Sequence, residues 1–226
     1  MIQIEKNVLS NELSPYLKQH KDNPVHWQTW SKELLEFAKQ KKKPILLSIG
    51  YASCHWCHVM AHESFEDTDT AKIMNQLFIN VKVDREERPD IDFIFQSSFQ
   101  LFNQTGGGWP LTMFLDENGV PFMGGTYFPK EAKHGLPSFR EVLQKVSDAY
   151  KDQRENIIKQ KNLIIKNLDL KKNSVLHQDL EPILEISLNH LDPIKGGYKG
   201  KPKFPTFNLY ETLLYFYNTT SDLRYL

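Results

Sequence analysis

The stretch PILLSIGYASCHWCHVM, residues 44–60, constrains the fold more than any other part of the chain. ILLSIG is a short, unbroken apolar run of the kind found in a strand buried on both faces. Pro44 separates it from the helix expected before it. Cys54 and Cys57 follow as a Cys-x-x-Cys pair at the head of a helical stretch, CHVMAHESFEDTDTAKIMNQLF. A strand feeding a cysteine pair at a helix start calls for an α/β architecture, with the pair at the carboxyl end of a central strand where such sheets place their sites.

The flanking segments fit that frame. SKELLEFAKQKK, residues 31–42, puts Leu34, Leu35, Phe37 and Ala38 on one helical stripe, with Ser31 as N-cap and lysines in the last turn. INVKVD alternates as a strand, and PDIDFIFQSSFQLF reads as a helix opened by Pro89 and Asp90. LTMFLD, the turn ENG and PFMGGTYF read as an antiparallel hairpin. Ser138 and Glu141 form a capping box for a helix whose apolar positions are Phe139, Val142, Leu143 and Val146. The expected product is a mixed sheet with helices on both faces. Residues 151–175 read as a helical extension passing into a linker, and 178–191 and 207–217 as two further amphipathic helices.

Charge and cysteine usage exclude several functions. The 28 basic and 28 acidic residues cancel, which offers no electrostatic case for nucleic acid or an anionic membrane as the main partner. The longest apolar runs fall far short of a membrane span, and MIQIEKNVLSNELSPYL has no basic head followed by an apolar stretch. A cytoplasmic location is therefore expected. Two cysteines in 226 residues is not the density of a disulfide-stapled secreted domain. In a reducing compartment such a pair points to redox chemistry or to a metal.

A cysteine at a helix N-terminus meets free backbone N–H groups and the positive end of the helix dipole, both of which favour thiolate over thiol. Cys54 holds that position and is the expected nucleophile. Cys57, one turn on, is placed to attack a mixed disulfide on Cys54 and release a reduced substrate. His55, if protonated, would lower the thiol pKa further. Zinc is the rival, because Cys54, Cys57, His58 and His62 share one helical stripe. Helical rise separates Cys54 from His62 by about 12 Å, too far for one ion. A three-ligand site of Cys54, Cys57 and His58 stays open, and His62 reads as a helix-surface or interface residue.

Two more stretches carry information. In GGGWPL, Gly106 to Gly108 permit backbone conformations closed to other residues, and Pro110 can open a strand. From spacing alone its bond to Trp109 is expected to be trans. DREERPDID, residues 84–92, reads either as a solvated loop with local ion pairs or as a substrate or domain contact. Trp56, Tyr127 and Phe128 read as core or rim aromatics.

SPYLKQHKDNPVHWQTW, KPILLSIGYASCHWCHVMAHESFED, VKVDREERPDID, GGGWPLTMFLDENGVPFMGGTYFP and GGYKGKPKFP together resemble the two-domain thioredoxin-like family typified by spermatogenesis-associated protein 20. The resemblance implies a thioredoxin-like fold over residues 1–170. Over 171–226 it implies a short all-α segment that begins a helical toroid. It assigns the nucleophile to Cys54, the resolving thiol to Cys57 and a cis-proline facing them to Pro110, reversing the trans expectation. Trp56, Trp109 and Tyr127 are then the candidate substrate-binding side chains, with His55 beside the nucleophile. The partners it implies are a protein or small-molecule disulfide and a reductase donor, with no cofactor beyond the dithiol. Two departures stand out. Ser48 occupies the position where thioredoxins commonly carry a buried acid, leaving water, a histidine or an acid from elsewhere to accept the resolving thiol's proton. His-Trp replaces Gly-Pro between the cysteines, which suggests a different redox poise. The rival functions are a zinc-binding or non-catalytic interaction module, and an accessory domain of a carbohydrate-active toroid enzyme.

Overall fold

β1 (Ile45–Gly50) is buried along its whole length, as an unbroken apolar run requires. In the computed structural model, which describes residues 4–133, 135–168, 181–201, 203 and 207–226, it is an inner strand of a four-stranded sheet. β2 (Ile79–Asp84) pairs with it in parallel and β3 (Leu111–Leu115) antiparallel, and β4 (Pro121–Gly125) pairs antiparallel with β3, giving the order β2-β1-β3-β4. The outer edge of β2 is not bare. Gln28 bridges to it, donating its N–H to the Asn80 carbonyl and accepting that of Lys82, each at 2.9 Å.

The helices preceding the hairpin are α1 (Pro15–Gln19), α2 (Lys32–Lys41), α3 (His55–Met60), α4 (Thr68–Leu77) and α5 (Pro89–Asn103); α6 (Phe139–Asp152) and α7 (Arg154–Leu168) follow it. The pleat sorts the sheet's side chains between two layers. Ile45, Leu47 and Ile49 join Val81, Val83 and Met113 against Leu34 and Ala38 of α2 and Ile91, Phe95 and Phe99 of α5. Leu46 and Phe114 turn the other way, towards Tyr16 of α1, Cys57 and Met60 of α3, Met74 of α4, and Phe139 and Leu143 of α6.

Local signals set most boundaries. Ser31 accepts the Leu34 N–H at 3.1 Å, and left-handed Lys42 closes α2 just before Pro44. Both halves of the Ser138–Glu141 capping box are formed at the start of α6.

One expectation needs correction, and one strand is buried more fully than its alternation requires. The helical stretch after the cysteines is not continuous: α3 widens into a turn over Ala61–Phe65, closed by the Glu66 N–H on the Ala61 carbonyl at 3.0 Å. The chain restarts at Asp67, whose carboxylate caps α4 by accepting the Thr70 N–H at 2.8 Å. The alternation in INVKVD does not turn its polar residues to solvent either. Asn80, Lys82 and Asp84 are buried, because α1 and the Gln28 segment cover that face and edge.

A mixed sheet with helices on both faces, a Cys-x-x-Cys helix after the inner strand and a proline before the antiparallel strand make a thioredoxin-like α/β fold. The chain divides into two compact units, Met1–Leu170 and Lys171–Leu226. The second is helical, with α8 (Glu181–Asn189) and α9 (Phe207–Thr220) around buried Leu184, Leu213 and Tyr225. The linker expected near 170–175 lies outside the described residues. No helix among the described residues is long and apolar enough to cross a membrane.

Candidate functional site

Cys54 is the N-cap of α3, in extended backbone, and its sulfur accepts the Cys57 N–H at 3.2 Å. The two sulfurs are joined in a disulfide with an S–S distance of 2.03 Å. Both residues are buried, Cys54 at 3% and Cys57 at 2% exposure, so the sulfurs lie just beneath the surface. Three residues of loop after β1 set this placement, because Gly50 ends the strand and Tyr51 accepts the Cys54 N–H at 3.1 Å.

The Trp109–Pro110 bond is cis, as the resemblance implied and contrary to the expectation from spacing. Leu111 pairs with Ile49, so buried Pro110 stands beside the end of β1 from which the cysteine loop departs.

Trp109 is held on three sides. Its Nε1–H donates to Asp92 Oδ1 at 2.9 Å, the Arg85 guanidinium lies 4.0 Å from its ring centroid, and Tyr51 packs edge-on at 5.8 Å. Arg85 also approaches Asp92 at 3.6 Å. The charged string 84–92 therefore serves two ends. Arg88 and Asp90 make an exposed local pair, whereas Asp84, Arg85 and Asp92 turn inward, the first to accept the Ser14 hydroxyl at 2.6 Å. The glycine run is anchored by Gln96, which donates to the Gly108 carbonyl at 3.0 Å and accepts the Gly108 N–H at 3.2 Å. A side chain on Gly107 would run into that amide.

Trp56 is exposed and lies 5.1 Å from the Tyr127 ring. The Tyr127 hydroxyl donates to Glu63, which also accepts Lys133 at 3.0 Å. Trp56, Gly106–Gly108, Trp109, Thr126 and Tyr127 line an open groove of about 320 Å³. The three aromatics named from the sequence thus meet in one surface feature, on the chain segments that flank the disulfide. A larger cavity of about 1040 Å³ lies wholly within the C-terminal unit.

His55 is exposed and packs edge-on against Trp56, at 5.7 Å between ring centres. His58 donates Nε2–H to the Ala52 carbonyl at 2.9 Å, and His62 pairs with Glu66 at the surface. With the sulfurs bonded to each other and His58 committed to Ala52, the three-ligand alternative is not assembled. No group of three or more metal-competent His, Cys, Asp or Glu side chains gathers among the described residues.

Below the disulfide layer the sequence reading missed two side chains. Ser48 is buried, as the position implied, but its hydroxyl accepts a lysine: Lys82 Nζ lies 3.1 Å away. Burial pushes the Lys82 amine well below its ordinary range. It is packed against the Tyr16, Trp27 and Phe65 rings, with centroids at 5.2, 4.8 and 4.4 Å. Tyr16 is the other. Strand period could have found Lys82, since Ser48 and Lys82 are register partners; nothing local to SPYLKQH announces Tyr16.

Residues 6–169 match the family Thioredox_DsbH, described as a protein of unknown function, DUF255. The chain is 41% identical over 204 residues to an uncharacterized protein of Caenorhabditis elegans, covering 88% of this chain and 28% of that protein. It is 38% identical over 209 residues to spermatogenesis-associated protein 20 of Homo sapiens, covering 88% of this chain and 26% of that protein. The chain thus spans about a quarter of the length of these relatives. Among solved structures, a DsbH oxidoreductase aligns over 57% of this chain and 85% of its own, with 22% identity and a TM-score of 0.41. The chain belongs to the Thioredox_DsbH (DUF255) family, the thioredoxin-like family that includes spermatogenesis-associated protein 20.

Proposed function

We propose that this protein exchanges thiols and disulfides through Cys54 and Cys57, on cytoplasmic protein or small-molecule disulfides, with electrons from a reductase donor. The observation that carries the reading is the bonded pair at the start of α3, with the Cys57 N–H directed at the Cys54 sulfur. That N–H would stabilise a Cys54 thiolate.

A substrate disulfide is attacked by the Cys54 thiolate; one substrate sulfur leaves as a thiolate, and the other stays bonded to Cys54. Cys57 then attacks Cys54, releasing the second substrate sulfur and closing the disulfide found here. The open groove at Trp56, Trp109 and Tyr127 supplies flat apolar contact for the substrate chain. His55 adds positive charge beside Cys54 when protonated.

Incubating Cys57→Ser protein with cell extract tests the assignment. A mixed disulfide on Cys54 that dithiothreitol releases is expected. Equal trapping by Cys54→Ser would reverse the two roles, and no adduct on either would remove the reading.

A further inference from the structure

Gly50 reports a close approach that the function proposed above does not yet use. A β-carbon built on Gly50 would lie less than 3.0 Å from the Tyr16 hydroxyl oxygen and 2.7 Å from Cys57 Sγ. The phenol of α1 and the resolving sulfur of α3 therefore face one small volume, and the absence of a side chain at residue 50 keeps it open. Tyr16 is 1% exposed, and its hydroxyl has no hydrogen-bond partner among the described residues. Buried hydroxyls are ordinarily paired, so this one is out of place in the disulfide form.

We propose that Tyr16 is a catalytic hydrogen-bond donor to Cys57, idle in the disulfide and engaged when the pair opens. An incoming thiolate attacks Cys54 Sγ, the Sγ–Sγ bond breaks, and Cys57 departs with the bonding electron pair as a thiolate. The Tyr16 O–H then donates to that sulfur. The proton stays on the phenol, whose acidity burial and then the nearby Asp84 carboxylate weaken. In the reverse direction the same bond holds Cys57 as a thiolate for its attack on the mixed disulfide. The other charged or titratable groups around Tyr16 are Lys82, 5.2 Å from its ring, and His20, packed edge-on at 5.0 Å. Neither bonds to the hydroxyl, which leaves the sulfur as the partner it meets on reduction.

The proposal rests on the exchange reading, and its test separates the two. Wild-type chain and Tyr16→Phe are each equilibrated with glutathione buffers. Removing a bond made only in the reduced form shifts the equilibrium about tenfold towards the disulfide, equal to about 30 mV for a two-electron pair. Independently, infrared difference spectra between phosphine-reduced and oxidised wild-type protein carry a tyrosine C–O band that shifts on reduction and vanishes in Tyr16→Phe. An unchanged equilibrium constant, or a spectrum without that band, overturns the role of Tyr16. A wild-type pair that ignores glutathione overturns the exchange reading instead, and the infrared band alone then decides for or against Tyr16.

Discussion

His20 and Lys82 are buried on the cysteine side of the sheet, and both make stability depend on pH. Burial, and then the charge of Lys82, push His20 from 6.5 down to about 2, while its Nδ1–H donates to Asn23 at 3.0 Å. The unfolded chain binds a proton near pH 6.5 and the folded one does not, so stability is complete above that pH and falls as pH drops towards 2. Each unit in that window costs at most about 1.4 kcal/mol. Urea denaturation of His20→Gln over the same range is expected to give a shallower acid limb; an identical slope would exclude His20 as its source. Lys82 is depressed too, so wild-type stability should rise as pH climbs towards 10.5. Lys82→Met is expected to stabilise the fold at pH 7 by about 1–3 kcal/mol, with the gain shrinking at high pH, and destabilisation would show that the ammonium is retained and paired. Strand period could place Lys82 beside Ser48, but the tertiary contacts that build this layer were not legible in the sequence. Their partners lie far along the chain, 34 residues between Ser48 and Lys82 and 70 between Ser14 and Asp84, and no local pattern encodes such contacts.

Elements, by contrast, were largely written in local chemistry. Ser31, Pro89 and the Ser138–Glu141 box mark helix starts because side-chain oxygens and a preset φ satisfy the free ends of helices wherever they occur. ILLSIG became a strand buried on both faces for the same kind of reason. The break between α3 and α4 escaped because apolar periodicity runs straight through it, and Asp67 acquires its meaning only in the fold. Besides capping α4, it accepts Lys130 at 2.8 Å and Arg140 at 2.5 Å, tying the restart to α6 and to the loop before it. Asp67→Ala should therefore cost about 2–3 kcal/mol, more than a cap alone, whereas Asp67→Asn keeps the cap and should cost less. In thermal or urea unfolding, equal losses would mean that the cap contributes nothing, and an Asp67→Asn protein as stable as wild type would mean that the ion pairs contribute nothing.

At the scale of the molecule, the Met1–Leu170 unit holds the disulfide, the cis-proline, the aromatic groove and the Tyr16–Lys82 layer. A chain ending at Leu170 is expected to fold and to keep the redox equilibrium of the full chain within about twofold, far less than the tenfold that one hydrogen bond carries. A larger shift would show that the helical unit shapes the site. The central claim is that Cys54 and Cys57 form a working dithiol–disulfide couple. Its most direct measurement is the midpoint potential of the full chain in glutathione buffers, read by alkylation and mass. A two-electron transition falling between about −270 and −120 mV, the span of catalytic dithiols, is the predicted result. A pair that stays oxidised or stays reduced across the whole series would contradict it.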